Sequence, residues 1–236
     1  MNRTGLLLGA VAALLLAAGP LGTRAGLWPF TVGFLLLGLS LVLGLAAASV
    51  CLAAGTRTGQ WGLALAGIGV GLAVVSVPTF AILSARGAPG IHDVTTDTED
   101  PPAFAAAVPL RAGVNTADYG GAEVAAQQRR AYPDIEPLVL PVDPAAAFAR
   151  VLAAVRELGW ELVASDPTAG RLEAVDTTFW FGFKDDVVVR LRPVPGGTRV
   201  DVRSSSRVGV GDLGTNATRV RELLARVREA PVAAVE

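Results

Sequence analysis

The chain opens with three long apolar stretches, at residues 5–21, 28–54 and 61–83. A helix needs about 20 apolar residues to cross the roughly 30 Å of hydrocarbon in a bilayer. The second and third stretches meet that length. The first is slightly shorter and ends in a Gly-Pro pair, so a cleaved signal peptide is the alternative to a retained helix. We predict a membrane anchor of three transmembrane helices within residues 1–86, with the lipid bilayer as partner.

Individual residues in these stretches favour a packed anchor. Trp28 and Trp61 each stand at the start of a stretch, where indole rings prefer the membrane interface. Gly67 and Gly71 lie four residues apart, a spacing that lets two helices approach closely. No charged residue interrupts the three stretches, whereas transport pathways usually carry intramembrane charges. The pattern therefore predicts an anchor rather than a transporter.

The next segment, residues 87–141, has little periodicity and is rich in Pro, Ala, Gly and Asp. Its stretches "IHDVTTDTEDPPAF" and "YPDIEPLVLPVDP" are punctuated by proline, which favours extended backbone. A long segment of this kind is either disordered or wrapped around a domain. Because apolar residues such as Ile91, Phe104 and Ile135 recur along it, we predict an extended linker that wraps the following domain. One short helix is expected, at residues 117–130.

A regular pattern begins at residue 142. Asp143 and Pro144 are residue types that cap a helix and open its first turn, and Gly159 is of the type that ends one. Between them, apolar residues recur at helical spacing, at Phe148, Val151, Leu152, Val155 and Leu158. The pattern therefore predicts a helix that packs one face against a core.

Four strand-like stretches follow, at residues 160–165, 171–179, 187–192 and 199–205, each bounded by Pro or Gly. Asp212 then caps a last helix whose apolar stripe is Val220, Leu223, Leu224 and Val227. The order α-β-β-β-β-α predicts an α+β domain over residues 142–230, in which helices flank a small antiparallel sheet. The order is also helix-grip-like, an analogy of fold that carries no function.

Charge divides the chain into two parts. The charged side chains before residue 84 are Arg3, Arg24 and Arg57, whereas all 21 acidic residues lie from Asp93 onward. The second part is therefore mildly acidic, which argues against nucleic acid because its binding needs a basic surface. A single cysteine and a single histidine exclude a disulfide within the chain and the usual zinc sites. We expect no nucleic-acid partner, no metal and no cofactor.

The basic residues next to the spans favour a cytoplasmic N-terminus. In that orientation Arg3, Arg57 and the α-amino group lie inside, while Arg24 and Arg86 lie outside. Three spans then carry everything after residue 84 across the membrane. We predict a protein of the bacterial cytoplasmic (inner) membrane whose domain lies in the periplasm or outside the cell.

The stretch "TTFWFGFKDDVVVRLRP" holds four aromatic residues within five positions: Phe179, Trp180, Phe181 and Phe183. Our first interpretation is core packing, since one buried ring removes about 150–250 Å² from water. The second is the rim of a ligand pocket formed by Trp180, Phe183, Lys184 and Asp185 with His92 and Asp93. The third is a loop that dips into the membrane. It ranks last because Asp185 and Asp186 would place two carboxylates at an anionic surface.

Alternation along the last two strands places several arginines on the face away from the helices. The simple interpretation is a solvated face with cross-strand ion pairs such as Arg190–Asp201, each contributing well under about 1 kcal/mol. The sharper interpretation is a site for a carboxylate or phosphate, because forked guanidiniums and hydroxyls near a helix N-terminus suit such groups. The residues of that candidate site are Arg190, Arg192, Arg203, Ser204, Ser206, Arg207 and Asn216.

The residues described so far are compatible with two functions. One is a membrane-anchored envelope module for binding or assembly, with an anionic small molecule or another envelope protein as partner. The other is an envelope hydrolase that uses His92 with a serine, or with Asp185 and Asp186. Proton transfer would require His92 within hydrogen-bond reach of its partner. We favour the binding module and assign no catalytic residue.

Four motifs in order carry a resemblance to a known family: "IHDVTTDTEDPPAF", "YPDIEPL", "TTFWFGFKDDVVVRLRP" and "VDVRSSSRVGVGDLGTNATRVREL". Together they resemble the bacterial family catalogued as domain of unknown function 1499, over about residues 88–229. The resemblance implies a membrane-attached or exported protein and assigns no activity. The resemblance therefore indicates attachment to a membrane or export, and it indicates no function.

Overall fold

The computed structural model describes residues 2–84, 86–111 and 115–229. The chain forms two compact units. The first contains the described residues up to Arg86 together with the loop Phe179–Gly182, and the second contains the described remainder.

Three helices build the first unit: α1 (Asn2–Arg24), α2 (Phe30–Thr58) and α3 (Trp61–Ser84). All three are long and apolar enough to cross a membrane, as predicted. Helix α1 continues through Pro20 to Arg24, so the Gly-Pro pair does not end it. Helix α2 ends at Gly59, whose left-handed conformation (φ 71°) lets its N–H donate to the carbonyl oxygen of Gly55.

Small residues bring these helices close together. Gly71 approaches α2 so closely that a methyl group in its place would lie 2.5 Å from the carbonyl oxygen of Gly44. Methyl groups at Gly5 or Gly67 would collide with the Sγ of Cys51, which is completely buried. The Gly67/Gly71 pair therefore packs helices within the chain.

The second unit is an α+β domain, as predicted. Its strands are β1 (Asp93–Thr95), β2 (Leu138–Leu140), β3 (Glu161–Asp166), β4 (Arg171–Thr177), β5 (Lys184–Val194) and β6 (Gly197–Ser206). Its helices are α4 (Gly121–Ala131), α5 (Pro144–Glu157) and α6 (Thr215–Glu229), with a 3-10 helix at Val108–Arg111. From α5 onward the order is the expected α-β-β-β-β-α.

The six strands form one antiparallel sheet in the order β1-β6-β5-β4-β3, and β2 pairs with the other end of β6. Asp93 lies opposite Ser205, near the end of β6, whereas Leu138 lies opposite Val200, near its start. Strands β1 and β2 thus share one neighbour. The segment 87–141, predicted as a linker, contributes both of these strands and helix α4.

One face of the sheet packs against α5 and α6. The side chain of Asp143 caps α5 by accepting a hydrogen bond from the N–H of Ala146 at 2.9 Å, and Gly159 ends it with φ 72°. The core on this face includes completely buried Val187, Val189, Val200 and Val202 from the strands and Val220, Leu223 and Val227 from α6. The predicted helical stripes therefore face the sheet.

The other face is covered by the chain's own residues 96–111 and 115–117, called the covering segment below. Val188 is completely buried against Phe104 and Ala107. The carboxylate of buried Glu173 accepts hydrogen bonds from three successive main-chain N–H groups, at 2.9, 3.2 and 2.9 Å, in Ala105, Ala106 and Ala107. The expectation of a solvated face is therefore wrong over most of the sheet.

The aromatic cluster lies between β4 and β5, and its interpretation as core packing is wrong. The rings of Phe179 and Trp180 are 73% and 59% exposed, and Phe181 and Phe183 are half-buried. Gly182, with φ 68°, turns the chain before a strand can extend through it. The N–H of Thr178 donates to the carbonyl oxygen of Phe183 at 2.8 Å, which closes the hairpin. The rings therefore stand at a hairpin tip.

Candidate functional site

An ion-paired cluster lies on the covered face of the sheet. It consists of Arg190, Arg192, Arg199, Asp97, Asp100 and Asp201, and is called the arginine cluster below. The antiparallel register sets Arg190 opposite Asp201 and Arg192 opposite Arg199. Residues at alternate positions of a strand share a face, so these side chains converge. The predicted Arg190–Asp201 pair is confirmed, with a nitrogen–oxygen distance of 3.1 Å.

Asp201 is the innermost carboxylate of the arginine cluster. It is completely buried, and all three guanidiniums approach it, with nitrogen–oxygen distances of 3.1, 3.0 and 2.8 Å. Asp97 lies further out and its oxygen is 2.6 Å from Arg199. These two carboxylates fix the directions of the arginine forks, because charge-assisted hydrogen bonds of this kind are short and directional.

Asp100 is the outermost carboxylate, with 65% of its side chain exposed. Its Oδ2 lies 2.9 Å from Nη1 of Arg192 and 3.1 Å from Nη1 of Arg190. The hydrogen bond from Arg192 and the charge of Arg190 hold the pKa of Asp100 below its usual value, so the side chain is ionised at neutral pH. Two guanidiniums thus hold a carboxylate at a position that is open to water.

Arg203 has an interior role instead. Its guanidinium is buried, forms a double hydrogen bond with Asp93 at 2.9 and 2.6 Å, and donates to main-chain oxygens of the covering segment. The rings of Phe104 and Tyr119 lie 4.8 and 5.5 Å from its carbon. Desolvation, followed by the charge of Asp93, raises the pKa of Tyr119 to about 12. Arg203 therefore ties β6 to β1 and to the segment over it.

Asp186 holds two further arginines. Arg111, at the end of the 3-10 helix, places Nη1 2.8 Å from its carboxylate, and Arg207 places Nη2 2.7 Å away. Arg111 also donates to the hydroxyl of Ser205 and to the carbonyl oxygen of Ser206. Burial lowers the pKa of Arg111 from its usual value, although Asp186 acts against that shift. This group pins the far end of the covering segment to the sheet.

A separate polar network lies on the helix face. Asn216 of α6 accepts a hydrogen bond from the hydroxyl of Ser204 at 2.6 Å and donates to that of Ser206 at 2.9 Å. Arg219 places Nη2 2.7 Å from a carboxylate oxygen of both Asp176 and Asp185. Burial raises the pKa of Asp185, with Arg219 acting in the opposite direction.

A shallow cavity of about 220 Å³ opens beside this network, at the start of α6. Its lining includes Asp176, Arg219 and Glu222. Arg219 is already held by the two carboxylates of Asp176 and Asp185, so the cavity offers no unpaired cation to a ligand.

The geometry gives no support to a hydrolase built on His92. Its Nδ1 lies 3.3 Å from the carbonyl oxygen of Val210. Ser204, Ser205 and Ser206 are buried, and their hydroxyls are bonded to Asn216 or Arg111. Among the described residues, no group of three or more His, Cys, Asp and Glu side chains is arranged to hold a metal ion.

The candidate ligand-binding residues divide between the two faces of the sheet. Arg190, Arg192, Arg203 and Arg207 lie on the covered face, whereas Ser204, Ser206 and Asn216 lie on the helix face. Adjacent residues of a strand point to opposite faces, so Arg203 and Ser204 cannot serve one site.

The residues proposed as a pocket rim also fall into different surroundings. Asp93 pairs with Arg203, Asp185 with Arg219, and exposed Lys184 lies 4.0 Å from Glu161. Trp180 belongs to the hairpin tip of the first unit. Sequence reasoning missed three residues of the arginine cluster, Arg199, Asp97 and Asp100, and also Arg111 beside Asp186. The "DTED" run after β1 is the signal for two of them, since carboxylates beside an arginine face tend to pair with it.

Fold and site together define an α+β domain with a densely ion-paired sheet, attached to three helices that are able to span a membrane. Residues 93–227 match the model of a family described as protein of unknown function (DUF1499). That match covers more than half of the chain, so the chain belongs to this family and the resemblance of its motifs is confirmed. A search of curated proteins finds no match.

Proposed function

We propose that the protein is a membrane-anchored binding module that accepts a carboxylate or phosphate group at the arginine cluster, with its domain in the periplasm or outside the cell. The supporting observation is that Arg190 and Arg192 already hold the carboxylate of Asp100 at a solvent-open position. Paired guanidiniums are the arrangement by which arginine recognises carboxylates and phosphates. Asp100 therefore occupies the place of a ligand.

Displacement of Asp100 costs little, because exposed ion pairs are screened by water and are weak. Asp97 and Asp201 remain in place and keep the guanidiniums oriented, so the site is preorganised for the incoming group. Once Asp100 leaves, three arginines face two carboxylates, and the cluster carries a net positive charge. An external anion restores the balance.

Titration of the full chain in detergent with inorganic phosphate and with citrate tests this function. Asp100→Asn removes the internal competitor and should tighten binding a few-fold. Arg192→Lys keeps the charge but loses the fork, so it should weaken binding. Binding should also weaken as salt is added, since screening shortens the reach of exposed charges.

The matched control is Arg221→Lys, because Arg221 forms an exposed pair with Asp134 at 2.6 Å on a different part of the domain. It should bind both anions like the wild type. The proposal is overturned if Asp100→Asn and Arg192→Lys behave like this control. It is equally overturned if the Asp100→Asn variant binds neither phosphate nor citrate.

A further inference from the structure

Within the first unit, the loop Phe179–Gly182 contacts the ends of two helices. Nη1 of Arg24, the last residue of α1, donates to the carbonyl oxygen of Phe179 at 2.8 Å. The guanidinium of Arg24 also lies 5.9 Å from the centre of the Phe179 ring. Phe181 packs on Phe34, in the first turns of α2, with ring centres 4.9 Å apart. The tip is therefore level with the end of α1 and the beginning of α2.

Those helix ends carry residues typical of the membrane interface. Trp28 lies between the two helices, and its indole N–H donates to the carbonyl oxygen of Gly19 at 3.2 Å. Phe30 and Phe34 stack edge to face with ring centres 5.9 Å apart. Tryptophan and arginine at the end of a span prefer the headgroup region, where an apolar body and a polar tip are both accommodated.

The tip itself is apolar and exposed. Phe179 and Trp180 lie edge to face with ring centres 5.1 Å apart, and most of each ring is uncovered. Two adjacent large rings in water are unfavourable. At the interface, the same rings bury their apolar surface while the indole N–H stays within reach of headgroups.

The carboxylates that argued against a membrane loop are turned away from solvent. Asp185 and Asp186 are 3% and 0% exposed and are neutralised by arginines of the second unit. The exposed charge that directly follows the loop is Lys184, with 48% of its side chain uncovered. A lysine favours an anionic lipid surface rather than opposing it.

We propose that Phe179 and Trp180 insert into the interfacial region of the bilayer, so that the hairpin between β4 and β5 is a membrane contact in addition to the three spans. The partner is the boundary between lipid headgroups and acyl chains. The carbonyl of Phe179 enters this region already bonded to Arg24, which avoids leaving an unsatisfied main-chain group there.

Fluorescence of the full chain in vesicles of phosphatidylcholine and phosphatidylglycerol tests this contact. Trp28→Phe, Trp61→Phe and Trp160→Phe leave Trp180 as the single tryptophan. Its emission should be blue-shifted, and lipids with a nitroxide near the top of the acyl chain should quench it strongly, because interfacial indoles lie at that depth. Acrylamide in the water should quench it weakly.

The matched control retains Trp160 in place of Trp180. Trp160 is 8% exposed in the core of the domain, so both quenchers should leave it largely unaffected. Strong acrylamide quenching of Trp180 without nitroxide quenching overturns the proposal. Protection of Trp180 from both quenchers also overturns it, because protein rather than lipid would then cover the ring.

A second variant keeps the test decisive if the triple substitution prevents folding. Phe179→Cys can be spin-labelled selectively, since Cys51 is completely buried. Electron paramagnetic resonance should then show that the label is more accessible to oxygen, which concentrates in lipid, than to a water-soluble nickel chelate. The reverse order of accessibility would place Phe179 in water and overturn the proposal.

Discussion

Replacement of Glu173 by glutamine probes how the covering segment is held on the sheet. Glu173 is 1% exposed, and its two oxygens accept the N–H groups of Ala105, Ala106 and Ala107. Its Oε1 also accepts a hydrogen bond from Nε of Arg171 at 2.9 Å. Glutamine keeps the shape of the side chain but removes its charge and converts one acceptor into a donor.

The size of the effect follows from these contacts. The least disruptive orientation places the new NH₂ group at the position of Oε2, where it faces the N–H of Ala107. The N–H of Ala107 and the new NH₂ group are then both buried donors without an acceptor, and the other hydrogen bonds lose the assistance of the charge. A hydrogen bond to a charged group contributes about 1.5–3 kcal/mol. We therefore expect Glu173→Gln to destabilise the covering segment by about 2–3 kcal/mol.

Amide hydrogen exchange followed by mass spectrometry measures that change in the full chain. Peptides that contain Ala105 to Ala107 should exchange roughly 30- to 150-fold faster, since every 1.4 kcal/mol is a factor of ten. Glu157→Gln is the control, because Glu157 forms an exposed pair with Arg226. It should leave these peptides unchanged. An increase of less than about threefold in Glu173→Gln would show that the carboxylate does not hold the segment.

Three further predictions follow from other parts of the chain. Leu223→Ala should lower the free energy of unfolding of the domain by about 2–5 kcal/mol, whereas Phe179→Ala should change it by less than about 0.5 kcal/mol. Urea unfolding measures both values, and similar losses in the two variants would show that Phe179 is a core residue. Because burial raises the pKa of Asp185, the folded state binds its proton more tightly than the unfolded chain does. The stability of the wild type relative to Asp185→Asn should therefore fall as pH rises from the ordinary carboxyl value through the raised one, and a difference that is constant with pH would refute this. Reporter fusions after Thr58 and Ala88 should lie in opposite compartments, with Ala88 outside, and activity of a cytoplasm-only reporter at Ala88 would reverse the orientation.

Local sequence patterns were sufficient to predict two kinds of feature. One is a helix end set by a single residue type, and the other is the buried face of a helix set by a stripe of apolar residues. Asp143 caps α5 and Gly159 ends it because a carboxylate can accept early N–H groups and glycine adopts a left-handed conformation. Val220, Leu223 and Val227 share a helical face, so they are buried together. These features identified the α+β domain and its order of elements from the sequence.

Strands β1 and β2 could not be predicted from local sequence patterns. β1 and β2 have three residues each, which is too short for a periodic pattern. The position of β1 depends on distant partners: the side-chain amide of Gln128 accepts from the N–H of Thr95 at 2.9 Å and donates to its carbonyl oxygen at 2.6 Å. A side chain of α4 thus continues the hydrogen bonding of the sheet edge, and no local pattern marks that role.

The candidate site was partly predictable. Alternation placed Arg190, Arg192 and Asp201 on one face correctly, and the same alternation separates Arg203 from Ser204. That face is covered by the covering segment, whose carboxylates Asp97 and Asp100 lie about a hundred residues earlier in the chain than the arginines. Pairings at such sequence separation have no periodic signature, so the expectation of a solvated face could not take account of the segment that covers it.

The covering segment is held at several points that do not involve Asp100, and this matters for how an anion would bind. Arg203 holds the carbonyl oxygens of Pro102 and Ala117, and Glu173 holds the main chain of Ala105 to Ala107. Removal of one partner from a buried charged pair is strongly unfavourable, so these attachments persist when a weak exposed pair breaks. An anion that takes the place of Asp100 therefore frees one side chain at the rim and leaves the rest of the segment on the sheet. Exposure of the whole arginine face would require the buried attachments to open as well. Displacement of the Asp100 side chain alone therefore needs less free energy than removal of the whole covering segment.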